Sequence, residues 1–314
     1  MCNTIYSGYL CYGEQRLLVS DIIGVRRLYE TKPRNYYYGV VKLTPDNNVL
    51  LPPFTGKVIK SLLIKANPAI EEIFSGRYTP KPIHVSTLIR IRDNGRYMYL
   101  WKKYGPEQDI SMRLGIGQTA MFHIGFTEDV SHKVIDALMN LDGVELFNAR
   151  WNVIEYEVEK INLPTTDIPR QYSLDDAIAI KVEFRTPTLF LDPYKPSRYK
   201  RFLPLPGIVF SYNVGDLLRM ERGSDYIETI NLLNALLNET YSALETVKPI
   251  MYIYEGKGYP AVIGYIKYMI DWDLVEKAKA QKLLENILVH ASIMGIGTSR
   301  ANGFGHVTIK IIRE

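Results

Sequence analysis

Met294-Gly295-Ile296-Gly297-Thr298-Ser299-Arg300-Ala301-Asn302-Gly303-Phe304-Gly305-His306-Val307 lies between two unlike patterns. Upstream, residues 274–291 repeat apolar side chains at helical spacing; downstream, residues 306–312 read as a short strand. Dinucleotide and nucleotide-triphosphate loops run strand, glycine loop, helix. This order is the reverse, so both of those readings fail on context. Glycine lacks Cβ and lets the backbone approach a ligand closely. Successive backbone N–H groups in such a loop form an anion-binding concavity, and Arg300 adds a charged fork suited to phosphate. The bland alternative has the glycines cap a helix and start an edge strand. Two Gly-x-Gly pairs around an arginine favour binding over that alternative.

Working back from the loop, residues 261–269 and 250–254 read as strands joined through Glu255-Gly256-Lys257-Gly258. Asp273 is the expected cap of the last helix. Helical patterns cover residues 209–219 and the run Tyr226, Ile230, Leu233, Leu237, Leu244. Residues 177–184 read as a strand, and residues 186–207 form a long, basic, proline-rich connection. Leu163-Pro164-Thr165-Thr166-Asp167-Ile168-Pro169 reads as a linker.

The stretch before the linker repeats the same logic. Residues 37–43 form a strand, and Thr55 caps a helix with Val58, Ile59, Leu62 and Leu63 on its apolar face. Residues 83–92 and 96–101 alternate around Asn94-Gly95, a hairpin turn. A strand at 119–126 precedes a helix capped by Thr127, and a strand at 151–161 closes the unit. Each half approximates β-α-β-β-α-β. The expected fold is α+β, with tandem ferredoxin-like domains, antiparallel sheets with helices on one side, and a central cleft. The expected boundaries are 1–35 (an extension holding one strand at 17–23 and basic residues Arg26, Arg27, Lys32 and Arg34), 36–165 and 166–314.

At 314 residues, 46% hydrophobic and 23% charged, the chain has the composition of a soluble globular protein. No apolar run is long enough to span a bilayer, and the N-terminus carries no secretory pattern. Cys2 and Cys11 show no metal-ligand spacing and make no disulfide framework, so the expected location is the cytoplasm. The net charge of +4 does not by itself announce nucleic-acid binding. Its distribution does more. Arg77, Lys81, Arg90, Arg92, Arg96, Lys102 and Lys103 cluster against a single acid, Asp93. Lys195, Arg198, Lys200 and Arg201 interleave with Tyr194 and Tyr199. Basic clusters mixed with aromatics suit a phosphate backbone and stacked bases; two solvated faces are the ordinary alternative.

The glycine loop resembles that of the RAMP superfamily, the repeat-associated proteins of CRISPR systems. Leu51-Pro52-Pro53-Phe54-Thr55-Gly56-Lys57-Val58-Ile59-Lys60-Ser61-Leu62-Leu63 resembles the first-helix segment of the CRISPR repeat-processing endoribonucleases, the Cas-six family. Phe184-Arg185-Thr186-Pro187-Thr188-Leu189-Phe190 and Gly264-Tyr265-Ile266-Lys267-Tyr268 resemble two further family segments. Together they cover roughly residues 36–314 and point to the crenarchaeal-type branch.

The resemblance implies metal-independent cleavage of CRISPR precursor RNA within its repeats. The 2′-hydroxyl attacks the phosphate, leaving a 2′,3′-cyclic phosphate and a 5′-hydroxyl. Many relatives use a histidine on or near the first helix, but residues 55–63 contain none. Lys57 and Lys60 share one helix face there, and Lys81 follows; the resemblance carries the catalytic role to these three lysines. Gly295, Gly297, Ser299, Arg300, Gly303 and Gly305, with Lys195, Arg198, Lys200, Arg201 and Lys257, are the expected RNA contacts. No metal and no cofactor are implied. The expected partner is CRISPR repeat RNA, and the resemblance is compatible with effector-complex subunits and a homodimer. The rival reading is a non-catalytic RAMP subunit that holds guide RNA. His84, His123 and His132 read as isolated core or surface residues, while His290 and His306 are placed to line the cleft.

Overall fold

The computed structural model describes residues 22–78, 80–92, 94–103, 112–195, 200–240, 246–254 and 257–313. Strand β1 (Arg34–Pro45) buries Tyr36, Val41 and Leu43. It lies between β5 (Ala120–Thr127) and β6 (Ala149–Leu163), antiparallel to both. Strands β2 (Ile83–Val85) and β3 (Ile89–Ile91) pair with the far side of β5. β3 turns through Asn94-Gly95 into β4 (Tyr97–Tyr99), as the turn chemistry required, with shorter strands than the alternation suggested. Helix α2 (Gly56–Ala66) lays Val58, Ile59, Leu62 and Leu63 on this sheet, all fully buried. Those four side chains represent roughly 6–12 kcal/mol of gross apolar burial. Helix α4 (Ser131–Met139) packs beside α2. A short helix α3 (Glu71–Ser75) follows α2.

The second half repeats the arrangement. β7 (Ala177–Thr188) lies between β9 (Lys257–Ile270) and β10 (Val307–Arg313), and β8 (Val247–Tyr254) pairs with the far side of β9. Both sheets thus have their fourth, first, third and second β segments in the same spatial order, all antiparallel. Ile180, Val182 and Phe184 of β7 face a core built with helices α5 (Ser211–Leu217), α6 (Ser224–Leu236), α7 (Trp272–Ala278) and α8 (Gln281–Met294).

Several local expectations are corrected. The region read as an N-terminal extension contributes a helix, α1 (Ile23–Glu30), whose Val25 and Leu28 lie in the second core, with α1 packed on α6. Most of the strand expected at 17–23 lies outside the described residues. The last helical pattern is two helices, because Lys279 takes a left-handed conformation (φ 49°) between them. Their first cap is Asp271, whose carboxylate accepts from the Leu274 amide, not Asp273. Thr55 is no cap. It is fully buried, donates to the Leu100 carbonyl at 2.7 Å and accepts from the Leu88 amide at 2.9 Å, joining α2 to the β3 region. Thr127 makes no capping hydrogen bond either; a 3-10 turn intervenes before α4.

Candidate nucleic-acid interface

The glycine loop leaves α8 and docks where the two halves meet. The end of β7 holds it: Pro187 accepts from the Gly305 amide, Leu189 from the Thr298 amide, and the Thr186 hydroxyl from the His306 amide at 3.0 Å. That contact explains the Phe184-Arg185-Thr186-Pro187-Thr188 stretch, which serves as the loop's cradle. On the opposite side the loop presses on the start of α2. A Cβ at Gly56 would overlap the Asn302 carbonyl and lie 2.8 Å from Gly303 Cα, and Gly303 itself has φ 96°. Phe54 and Phe304 stack beside this contact, centroids 4.3 Å apart. The loop and the first turn of α2 are thus one packed unit. The glycines serve architecture here.

Arg300 is buried at 4% exposure and points inward, not out toward solvent as a phosphate contact would. It faces Asp216 of α5 at 3.7 Å. The other Asp216 oxygen accepts from Arg34 at 2.5 Å, and His290 Nε2 lies 3.2 Å from the first. Burial alone would raise the Asp216 carboxyl. The His290 hydrogen bond and the Arg300 and Arg34 charges more than reverse this and hold it well below the usual carboxylate range. His290 therefore belongs to this interior network.

Two of the three histidines read as isolated, His84 and His123, are not isolated. His84 of β2, His123 of β5 and His306 beyond the loop come together from both halves. His84 Nε2 lies 3.2 Å from His306 Nδ1, and the His123 and His306 rings stack at 4.8 Å. Tyr38 OH lies 2.5 Å from His123 Nδ1. Burial pushes His84 down to about 3, with the Arg300 charge adding to it, and His123 down to about 4. His306 is held well below its ordinary value, chiefly by burial. All three are neutral at pH 7. His84 and His123 sit on neighbouring strands of one sheet, but only the return of the chain through the loop could add His306. His132 is exposed on α4. Among the described residues, no group of three His, Cys, Asp or Glu side chains has a metal-holding arrangement.

Lys57 and Lys60 lie half-buried on α2, Lys57 directly after the Gly56 contact. Lys60 Nζ lies 5.4 Å from the Phe74 ring. Lys81 ends near it: burial lowers the Lys81 ammonium's pKa, and the Lys60 charge lowers it further. Lys81 also donates to the Ile73, Phe74 and Gly76 carbonyls, closing the end of α3. Its three donors are thereby committed to backbone.

The other expected contacts divide. Lys200 lies 5.6 Å from the Tyr259 ring, and Tyr259, Tyr252, Phe304 and Phe54 form a continuous aromatic path to the start of α2. Arg201 pairs with the buried carboxylate of Asp192. Lys195, Lys257 and Ser299 are exposed. Arg198 lies outside the described residues.

One surface was missed in the sequence. The face of the second sheet turned away from the helices carries Lys181, Arg185, Lys267 and Lys310, with Tyr265. Lys181 lies 4.1 Å over the Tyr265 ring, and Glu183 sits among the cations, paired to Lys181 at 2.7 Å and to Arg185. The cations lie on three separate strands, so no charge run reveals them. Alternation about β7 could have flagged Lys181, Glu183 and Arg185 together.

Comparison with known proteins fixes the family. The Cas6 N-terminal domain matches residues 37–161, and the CRISPR-associated endoribonuclease Cas6 domain matches residues 182–307. The chain belongs to the Cas6 family. Its fold is similar to that of a Cas6 product complex, with a TM-score of 0.56 at 14% identity, covering 87% of this chain and 98% of that one. A second Cas6 product complex gives 0.54 at 14% identity, covering 87% and 99%. Thermus thermophilus Cas6 gives 0.51 at 13% identity, covering 89% and 99%. These likenesses show the tandem ferredoxin-like fold. No curated protein matches the sequence. Among the described residues, no helix is long and apolar enough to cross a membrane.

Proposed function

We propose that this Cas6-family chain is a metal-independent endoribonuclease that cuts CRISPR precursor RNA once within each repeat. The 2′-hydroxyl beside the scissile bond attacks phosphorus, giving a 2′,3′-cyclic phosphate and a 5′-hydroxyl. The observation that carries this reading is the first turn of α2 seated on the glycine loop, which brings Lys57 to the loop's edge with Lys60 one turn on. Charge builds on the phosphoryl oxygens in the transition state, and ammonium groups fixed beside them stabilise it. The buried histidines, with depressed pKa values, are ill placed to trade protons with a substrate. This supports the branch that works without the usual histidine. Lys81 acts behind Lys60, raising the local positive potential while it closes α3. Lys200 with its aromatic path, and the cationic face of the second sheet, are the proposed tracks for the rest of the repeat.

The rival, a RAMP subunit that only holds guide RNA, needs those tracks but not the lysines. Cleavage of a labelled repeat RNA in EDTA separates the two. We expect one cut, blocked by a deoxy sugar at the cut site and lost in Lys57→Ala/Lys60→Ala with binding retained. Tight, salt-sensitive binding without any cut would select the rival.

A further inference from the structure

Helix α5 presents Asn213 and Asp216 one turn apart, on one face. Asn213 Nδ2 donates to the carbonyl of Gly295, the residue that opens the loop, at 2.9 Å, and lies 3.0 Å from His290 Nδ1. Asp216 lies 3.2 Å from the other His290 nitrogen and 3.7 Å from Arg300 Nη2. Its second oxygen is held by Arg34 at the start of β1. A single helix face therefore grips the loop at its first residue and again at its middle. Arg300 opens the short 3-10 turn Arg300–Asn302. The far end of that turn is the Asn302–Gly303 contact with Gly56. The contacts run without a gap from Asp216 through Arg300 to Gly56, and so to Lys57.

This arrangement is costly as a purely structural device. Among the described residues, the terminal nitrogens of Arg300 are buried with no partner at hydrogen-bond distance, and the 3.7 Å ion contact to Asp216 is their compensation. Well-packed apolar side chains generally stabilise such a site as well or better, and a buried, under-satisfied polar group calls for another reason.

We propose that Asp216 is a positioning residue for RNA cleavage: through Arg300 and His290 it holds the glycine loop in the register that sets the first turn of α2 against the scissile phosphate. The proposal rests on the nuclease reading for its catalytic consequence. Asp216→Asn keeps the shape and removes the charge; Arg300→Met removes the charge from the other side. In single-turnover cleavage of labelled repeat RNA, each variant slows the cut about 100-fold, the scale set by a displacement of about 1 Å. Affinity for the same repeat carrying a deoxy sugar at the cut site changes less than threefold. The double variant is no slower than the worse single one, because the two residues act as a unit. Amide hydrogen exchange over residues 296–305 speeds up at least tenfold in Asp216→Asn, with β7 and β10 unchanged. Equal losses of cleavage and affinity, multiplicative effects in the double variant, or unchanged loop exchange would each overturn the proposal. If the wild-type chain binds the repeat without cutting it, the nuclease reading fails, and the exchange measurement alone decides whether Asp216 positions the loop.

Discussion

Taking the chain from pH 7.5 to pH 5 should remove a large part of its stability, and the histidine stack sets the amount. In the unfolded chain each ring has a pKa of about 6.5. In the folded protein His84 is held at about 3, His123 at about 4 and His306 well below its ordinary value, chiefly because burial penalises the charged form. The unfolded chain therefore takes up protons that the folded one refuses. The stability is fully present above pH 6.5 and is lost as pH falls from there toward the folded values. At pH 5 the loss is about 1.5 units for His84 and for His123, or about 2 kcal/mol each at 1.36 kcal/mol per unit. This figure is insensitive to the folded value as long as that value lies below 5. His84 and His123 together give about 4 kcal/mol, set against a typical total of about 5–15 kcal/mol, and His306 and His290, both also lowered chiefly by burial, add in the same direction. The rings contact one another and titrate as a set, so the sum is the quantity to measure. The Asp216 carboxylate contributes nothing in this window, since its stability is lost only at much lower pH. Urea unfolding at the two pH values, with a common slope, gives the difference directly. His123→Gln should reduce it. A wild-type difference below about 1 kcal/mol, or the same difference in His123→Gln, would refute the reasoning.

The Asp216 network and the surface ion pairs should differ sharply in worth. Asp216→Ala leaves buried Arg300 without its counter-charge and should cost about 3–5 kcal/mol in urea unfolding, whereas Glu155→Ala, which breaks an exposed pair with Lys42, should cost far less. Similar costs for the two would mean that the interior network is not electrostatically coupled. Gly56→Ala drives a Cβ into the Asn302 carbonyl and should destabilise by about 1–3 kcal/mol while slowing RNA cleavage. Gly223→Ala, where a Cβ meets open space, should stay within about 0.5 kcal/mol of wild type.

What was legible in the sequence follows from what is local. Apolar periodicity located α2 and its buried Val58, Ile59, Leu62 and Leu63, because a helix must turn one face to the core whatever lies beneath it. Asn94-Gly95 marked its hairpin because two successive residues fix the turn. Local reading failed where one side chain decides between partners. Thr55 looked like a cap, yet its hydroxyl was claimed by Leu88 and Leu100. One continuous helical pattern became two helices at Lys279.

By itself the sequence determined the order of the main strands and helices from β1 onward, the α+β class and the place of the glycine loop between a helix and a closing strand. Each of these depends on side-chain period or on the backbone freedom of glycine, and both are properties of neighbours along the chain. Only the tertiary structure decided that Arg300 turns inward to Asp216, that His84, His123 and His306 stack, and that Lys181, Arg185, Lys267 and Lys310 share one face. The partners in each group are far apart in sequence, and they meet only because two sheets and a loop close around them. Burial then determines their charge states, and a buried charge depends on a counter-charge that only the folded chain supplies.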